Sequence, residues 1–521
     1  MFVASLLALS VTSVAVAVPA SSAAPPPRHD VTVWVHLADR ERGIGFDPSI
    51  SPRALQRRIR RGVGTELRDS DRLVSPSHVA ALVSHGATVR VESRWLNAVS
   101  VRVDRERLAA IRDLPFVKGI EPVRVGRRAE LLPVAPPVAQ EGGVAGSDYG
   151  ASLEQLAQID LPALHARGFR GEGIVIGVLD TGFNRVHQAF ASAEHPLDVI
   201  AEWDFINNDP NTGIERGDPS NQHRHGTWIL GTLAAYAPGT LVGAAYEASF
   251  ILAKTEAVPT ETPIEEDYYV AGLEFIEAQG ADIATSSLGY IDWYTQEDLD
   301  GASAVTTIAV NIATSKGLIC LTAAGNAGHD EDPGTSHLVA PGDALEVITC
   351  GAVDATGATA GFSSDGPTAD GRIKPELLAR GVATATVHST NATGVAALNG
   401  TSLSTPLVAG ALACILEARP ELGVGALREA LFATATEPTS DPLFVRGYGI
   451  LQADDAASFG RNEGDLNLDG TVNSLDLALL LGAWGGCAAC EACPFDLDGD
   501  CEVGASDLSL LLGGWEGGST P

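Results

Sequence analysis

Residues 173–180 read GIVIGVLD, an apolar run closed by Asp180. Hydrophobic residues on successive rather than alternate positions predict a strand covered on both faces. Such strands pair in parallel, because the crossover helices that connect them also blanket the two faces of the sheet. The pattern recurs at 248–254 (ASFILAK), 281–289 (ADIATSSLG), 317–326 (GLICLTAAGN) and 344–353 (ALEVITCGAV), with helix-period segments between. The expected fold class over residues 151–457 is therefore α/β, a parallel sheet flanked by helices. Polar groups at the carboxyl ends of such strands are where sites form. Asp180 ends the first run and Asn326 follows the fourth.

Working outward, residues 28–130 order as strand (VTVWVHL), helix (SHVAALVSHG), two strands (TVRVESRW, NAVSVRV), helix (RERLAAIRD) and strand (VKGIEPVRV). This is the split βαβ pattern of a ferredoxin-like α+β unit. Ser75 and Pro76 open its first helix and Gly86 stops it. An insertion ahead of that helix carries the basic run RRIRR at 57–61. Residues 1–24 are apolar and small ahead of a proline cluster, which predicts a cleaved secretory signal peptide despite the missing basic start. No later stretch is expected to be long enough to span a membrane. Residues 131–150 are rich in Pro, Gly and Ala and predict a linker.

The net charge of −32 is unevenly spread. Residues 28–130 hold 20 Lys and Arg against 13 Asp and Glu, so the remainder is strongly acidic. An acidic body excludes nucleic-acid binding through phosphates. The opposite signs predict that the first segment associates with the body.

The chemistry lies in four short motifs. Asp180 sits in VIGVLDTGF, His225 in QHRHGTWILGTLAAY, Asn326 in TAAGNAG and Ser402 in GTSLSTP. A serine hydroxyl needs a base in hydrogen-bond reach, and the base needs a carboxylate to hold its tautomer. The oxyanion that follows needs fixed donors, which a side-chain amide and a helix-start N–H supply. Taken singly, each group has a plainer reading. Asp180 suits a turn, His225 a structural histidine with His223 as rival, Asn326 a loop, and Ser402 a cap on the helix begun by Pro406.

Together, Asp-Thr-Gly, His-Gly-Thr, Ala-Ala-Gly-Asn and Gly-Thr-Ser-x-Ser-x-Pro in this order resemble the subtilisin-like serine proteases, as does FSSDGPTADGRIKPELLARG at 362–381. The resemblance, over about 146–457, implies a subtilisin-like sheet. It implies Ser402 as nucleophile, His225 as base, Asp180 as its orienting carboxylate and Asn326 as oxyanion donor. It further implies that Ser287, Leu288, Gly289 and Gly325 bind substrate backbone and line a side-chain pocket. Trp228-Ile229-Leu230 after His-Gly-Thr, and Leu403 after the serine, depart from the family pattern without removing a catalytic group. The resemblance also makes 28–130 an inhibitor-type prodomain, cut away by the enzyme itself within about 125–150. Protein or peptide substrates and the chain's own prodomain are then the partners. The competing reading is a calcium-dependent adhesion or scaffold protein with an inactive protease fold.

The tail, 464–517, is a repeat with a period of 31 that sets Asp476 over Asp507 and Trp484 over Trp515. Asp465, Asn467, Asp469, the Thr471 carbonyl and Asp476 fall at the ligand positions of an EF-hand-type calcium loop, with Gly470 at its sharp turn. Asp496, Asp498, Asp500, the Glu502 carbonyl and Asp507 repeat the set, but Cys501 replaces the turn glycine. One leucine-rich helix per loop resembles dockerin modules, which implies calcium as cofactor and a cohesin-like or cell-envelope partner. Cys487, Cys490, Cys493 and Cys501 predict two disulfides, with zinc as the minor alternative. Cys320, Cys350 and Cys414 are expected as buried thiols. The whole reads as a secreted, calcium-tailed endopeptidase.

Overall fold

The computed structural model describes residues 30–515 except 39, 41–43, 65, 124, 127–131, 135–147, 259–263, 291–293, 438–440 and 488–492. The expected leader and most of the expected linker lie outside the described residues.

The first unit comprises β1 (Asp30–Leu37), α1 (Pro52–Arg60), α2 (Pro76–Ser84), β2 (Thr88–Ser93), β3 (Ala98–Asp104), α3 (Leu108–Arg112) and β4 (Val117–Pro122). Its sheet runs β2-β3-β1-β4 with every neighbouring pair antiparallel, the order of a split βαβ unit. Ser75 caps α2 through the His78 amide, as its Ser-Pro start predicts. The insertion contributes a further helix, α1, capped by Ser51 and opened by Pro52. Alternation divides the unit's apolar side chains. Val33, Val35, Val99 and Val101 form a private core, while Trp34, Trp95 and Ala98 join the core of the large domain.

Two short strands follow, β5 (Val125–Gly126) and β6 (Leu132–Val134). The large domain then contributes β7 (Val175–Asp180), β8 (Asp198–Asp204), α4 (Arg224–Ala234), β9 (Ser249–Lys254), β10 (Ile264–Glu265), α5 (Glu266–Gln279) and β11 (Ile283–Ser286). After these come α6 (Val305–Ser315), β12 (Ile319–Ala323), β13 (Ile348–Val353), β14 (Leu377–Arg380), β15 (Thr384–Val387), β16 (Val395–Asn399) and α7 (Thr401–Ala418). Seven of the strands form one parallel sheet, ordered β14-β13-β12-β11-β7-β9-β8. The five runs read as strands in the sequence are its interior. The edge strands β8 and β14 carry charged residues and escaped that reading, although β14 is buried throughout.

Helix α7 corrects two expectations. It is long and apolar enough, by length and composition, to cross a membrane, which the sequence reading had denied to any stretch after the leader. Its apolarity serves the core instead, for it is buried from Thr401 to Leu416. It also begins at Thr401, five residues before Pro406, and its cap position is Gly400 without a side-chain cap bond. Pro406 has no N–H to give the Ser402 carbonyl one helical turn earlier. The Ser287 hydroxyl supplies that missing donor at 2.9 Å.

The tail contains α8 (Ser474–Gly482) and α9 (Ala505–Gly513) over a small core of Leu466, Val472, Leu480, Val503 and Leu511. Cys487 and Cys493 form a disulfide, and Cys501 is disulfide-bonded as well. Cys490 lies outside the described residues. Cys320, Cys350 and Cys414 are buried free thiols, as expected. Arg167 joins tail to body, donating to the Leu466 carbonyl and to Asp454.

Nearby Asp160 holds a left-handed backbone at φ 53°, and burial, with Asp454 and Asp455 beside it, raises its carboxyl to about 7. A carboxyl raised on folding binds more protons folded than unfolded between about pH 4 and 7. Stability from this group is therefore lost as pH rises through that window. Asp160→Asn removes the charge, and asparagine tolerates the left-handed backbone. Its melting temperature should match wild type near pH 4 and exceed it at pH 8, by about 1–2 kcal/mol of stability. Calorimetry at the two pH values checks this; a gain independent of pH would refute it.

Candidate active site

Parallel strands deliver their carboxyl ends to one edge of the sheet. Asp180 is the last residue of β7, and Thr255, just after β9, donates its amide to the Asp180 carbonyl at 2.9 Å. The Asp180 side chain is fully buried and accepts from the Thr181 amide at 2.7 Å and the Thr181 hydroxyl at 3.1 Å. His225 occupies the first turn of α4, and its Nδ1 lies 2.8 Å from both Asp180 carboxylate oxygens. The pairing requires the Nδ1–H tautomer and leaves Nε2 as the basic nitrogen. His223, the rival in the sequence, points elsewhere, at the Gly213 carbonyl and Asp218.

Ser402 stands in the first turn of α7, largely buried, with its hydroxyl 3.3 Å from the Ser287 carbonyl. Asn326 follows β12 on a small-residue loop. Its Oδ1 accepts from the Thr401 amide and the Thr401 hydroxyl, both at 3.0 Å. Because the amide oxygen is committed to Thr401, its –NH2 is the free donor of Asn326, next to the helix start that bears Ser402. Thr401 and Gln222 are functional neighbours that sequence reasoning missed. Gln222 ties the two strand ends together by donating to the Thr181 and Glu256 carbonyls, each at 2.6 Å. A lone Gln three places before His-Gly-Thr offers no sequence signal for this. Ser404 and Thr405 donate to the Thr401 carbonyl and stay structural.

The expected substrate segment continues from β11. The Ser287 side chain is spent on Ser402, Leu288 is buried, and any side chain at Gly289 would collide with Val339. Gly325 has φ 118°, and a Cβ there would come 2.7 Å from the Ser364 hydroxyl. These positions therefore offer backbone, not side chains. The chain's own strands already exploit such edges. β5 pairs antiparallel with β10, and β6 with β16, the strand that runs into Ser402.

In the tail, Asp496, Asp498 and Asp500 bring carboxylate oxygens within 4.8 Å of one another. Cys501 takes the left-handed backbone, φ 70°, that Gly470 takes in the first loop. Asp476 and Asp507 face inward onto loop amides, including Leu466 and Leu497 respectively. In the first loop the Gly470 amide donates to Asp465, Asn467 Nδ2 to Asp469, and Asn473 Nδ2 to the Thr471 carbonyl. In the second, Glu502 pairs with Gly486. The carboxylates of the second loop suit a hard divalent cation. A second such group among the described residues, Asp204, Asp209 and Glu215, has Lys254 at 2.7 Å from Asp204 as a cation of its own.

A parallel sheet with this Asp, His and Ser brought to it in that chain order defines a subtilisin-like serine protease. The chain belongs to the subtilase family, whose model matches residues 171–450. Residues 32–131 match the S8 peptidase propeptide domain of Bacteroidota. Subtilisin E of Bacillus subtilis is 28% identical over 376 residues, 71% of this chain and 84% of that protein. Subtilisin BL of Lederbergia lenta is 31% identical over 304 residues, 58% of this chain and 97% of that one. Among solved structures, fervidolysin from Fervidobacterium pennivorans, described as a keratinolytic enzyme related to subtilisin, aligns with a TM-score of 0.57 at 20% identity. The alignment covers 83% of this chain and 61% of fervidolysin, and it speaks to the fold alone.

Proposed function

We propose that this is an exported endopeptidase that matures itself and acts through an acyl-enzyme on Ser402. His225 Nε2 takes the Ser402 proton as Oγ bonds to the scissile carbonyl carbon. Asp180 steadies the imidazolium, and Asn326 with the Ser402 amide holds the oxyanion. The proton then passes from His225 to the departing amine, and water, deprotonated by the same nitrogen, releases the acyl group. The observation that carries this reading is the Asp180–His225 pair, buried and doubly within 2.8 Å. An adhesion protein has no use for it.

The first maturation cut falls between Gly126 and Leu132, the two ends of the flanking strand pairings. Fluorophosphonate labelling with mapping of the adduct, and amino-terminal sequencing of the processed chain, test both parts. Adduct anywhere but Ser402, or a first cut outside 127–131, would sink them.

The tail is a dockerin-like module that holds calcium through Asp465, Asn467, Asp469, the Thr471 carbonyl and Asp476, and through the corresponding second set. Its docking partner would be cohesin-like or part of the cell envelope. Leu481, Trp484, Leu512 and Trp515, repeat-related and exposed, support an apolar contact there. Chelation should lower the tail's melting transition and leave hydrolysis of a small peptide substrate unchanged. Differential scanning calorimetry with and without added calcium decides it, since an unmoved transition contradicts a calcium fold.

A further inference from the structure

We propose that the protease domain carries a second peptide-binding site, at the edge of its sheet opposite Ser402, which recognises an arginine-rich helix and is filled here by α1. The basic run that the sequence singled out has no part in catalysis, yet two of its side chains are among the most deeply buried cations described. Arg57 and Arg58 are 0% and 2% exposed.

The location follows from topology. Strand carboxyl ends bear Asp180 and the segment to Asn326. The groups α1 touches precede the strands: Gly173 before β7, Asp282 before β11, and Gly317 before β12. Pro420 and Leu422 lie just past α7, whose 18 residues separate them from Ser402 by about 27 Å at 1.5 Å per residue.

On this edge Arg53 donates to the Gly173 carbonyl at 2.7 Å, the Gly280 carbonyl at 3.1 Å and Asp282 at 2.6 Å. Arg57 donates to Glu277 and to the Ala281 carbonyl, and Arg60 to Asp282 at 3.0 Å. Arg61 reaches the Pro420 and Leu422 carbonyls. Residues 53, 57, 60 and 61 recur at helical spacing and share one face. Arg58 bridges Glu277 to Asp71 of its own insertion, and Lys316 of the protease domain answers by donating to Asp71 at 2.6 Å.

The receiving surface is shaped for these stems. Gly280 and Gly317 end α5 and α6 with positive φ, and a Cβ on either would come within 2.9 Å of the Arg53 or Arg61 Cβ. Carboxylates and backbone carbonyls make up the acceptors, arranged for planar guanidinium forks, so the ligand class is an arginine-bearing helix, not an apolar one. Since the site lies away from the cleft, the amino-terminal segment stays attached after the maturation cut, and this site slows its release together with the Trp34, Trp95 and Asp267 contacts. That consequence rests on the self-processing proposed above; the site itself does not.

The test uses the full-length chain cut between Gly126 and Leu132, by itself or, should self-processing fail, by an added protease. The release rate of the amino-terminal fragment is followed by size-exclusion chromatography. R57Q/R61Q should speed release at least about tenfold over wild type, whereas the exposed control R105Q should not. In case the double variant does not fold, a synthetic peptide of residues 50–63 added to the cut wild-type protein should displace the fragment without slowing hydrolysis of a small chromogenic substrate. The same peptide with Gln for each Arg should do nothing. Equal release from a folded R57Q/R61Q, or no displacement by the arginine peptide, overturns the proposal.

Discussion

Ser402→Ala is expected to give a folded, unprocessed precursor with hydrolysis lowered by about 10⁶-fold. Every other group survives the change: the Asp180–His225 pair, the Asn326–Thr401 bonds and the Ser287 bond to the residue 402 carbonyl. The change removes the long hydrogen bond from the hydroxyl to the Ser287 carbonyl. Its loss costs at most about 1 kcal/mol, so the far-ultraviolet spectrum and melting temperature should stay close to wild type. The amino-terminal segment remains covalently attached, visible as a larger band in denaturing gels. Continued self-processing would show that a different hydroxyl is the nucleophile.

Asp180→Asn should lower kcat by about 10⁴-fold with little change in KM. The amide keeps the shape of the side chain, and its oxygen still accepts from the Thr181 amide and hydroxyl. Its –NH2 then faces His225 Nδ1, which must present a lone pair. The ring proton moves to Nε2, where the nucleophile needs a base. A purely structural Asp180 would instead lose melting temperature and leave kcat intact, so steady-state kinetics beside calorimetry separates the two roles.

Legibility varied with the range of the interaction. The five interior strands announced themselves through unbroken apolar runs, because burial on both faces leaves no polar alternation. β8, running DVIAEWD at the sheet edge, gave no such signal, since one side of an edge strand meets solvent. Helix α1 was hidden for a related reason. Its arginines look like a solvated surface, and most of the carboxylates and carbonyls they meet lie more than 100 positions away in the chain. The start of α7 was misjudged by five residues because Pro406 suggests a first turn. The donor that lets proline sit inside the helix comes from Ser287, 115 residues before the Ser402 carbonyl it satisfies.

Residue identity and local order alone determined the class of sheet and the family, and they singled out the four groups proposed for the chemistry, because short motifs encode what strands and helix starts must present. The tertiary structure decided which histidine meets Asp180, which way the Asn326 amide faces, and that RRIRR lies inside an interface. Those outcomes depend on hydrogen-bond partners brought together across the sheet, and a partner distant in the chain leaves no local trace in the sequence.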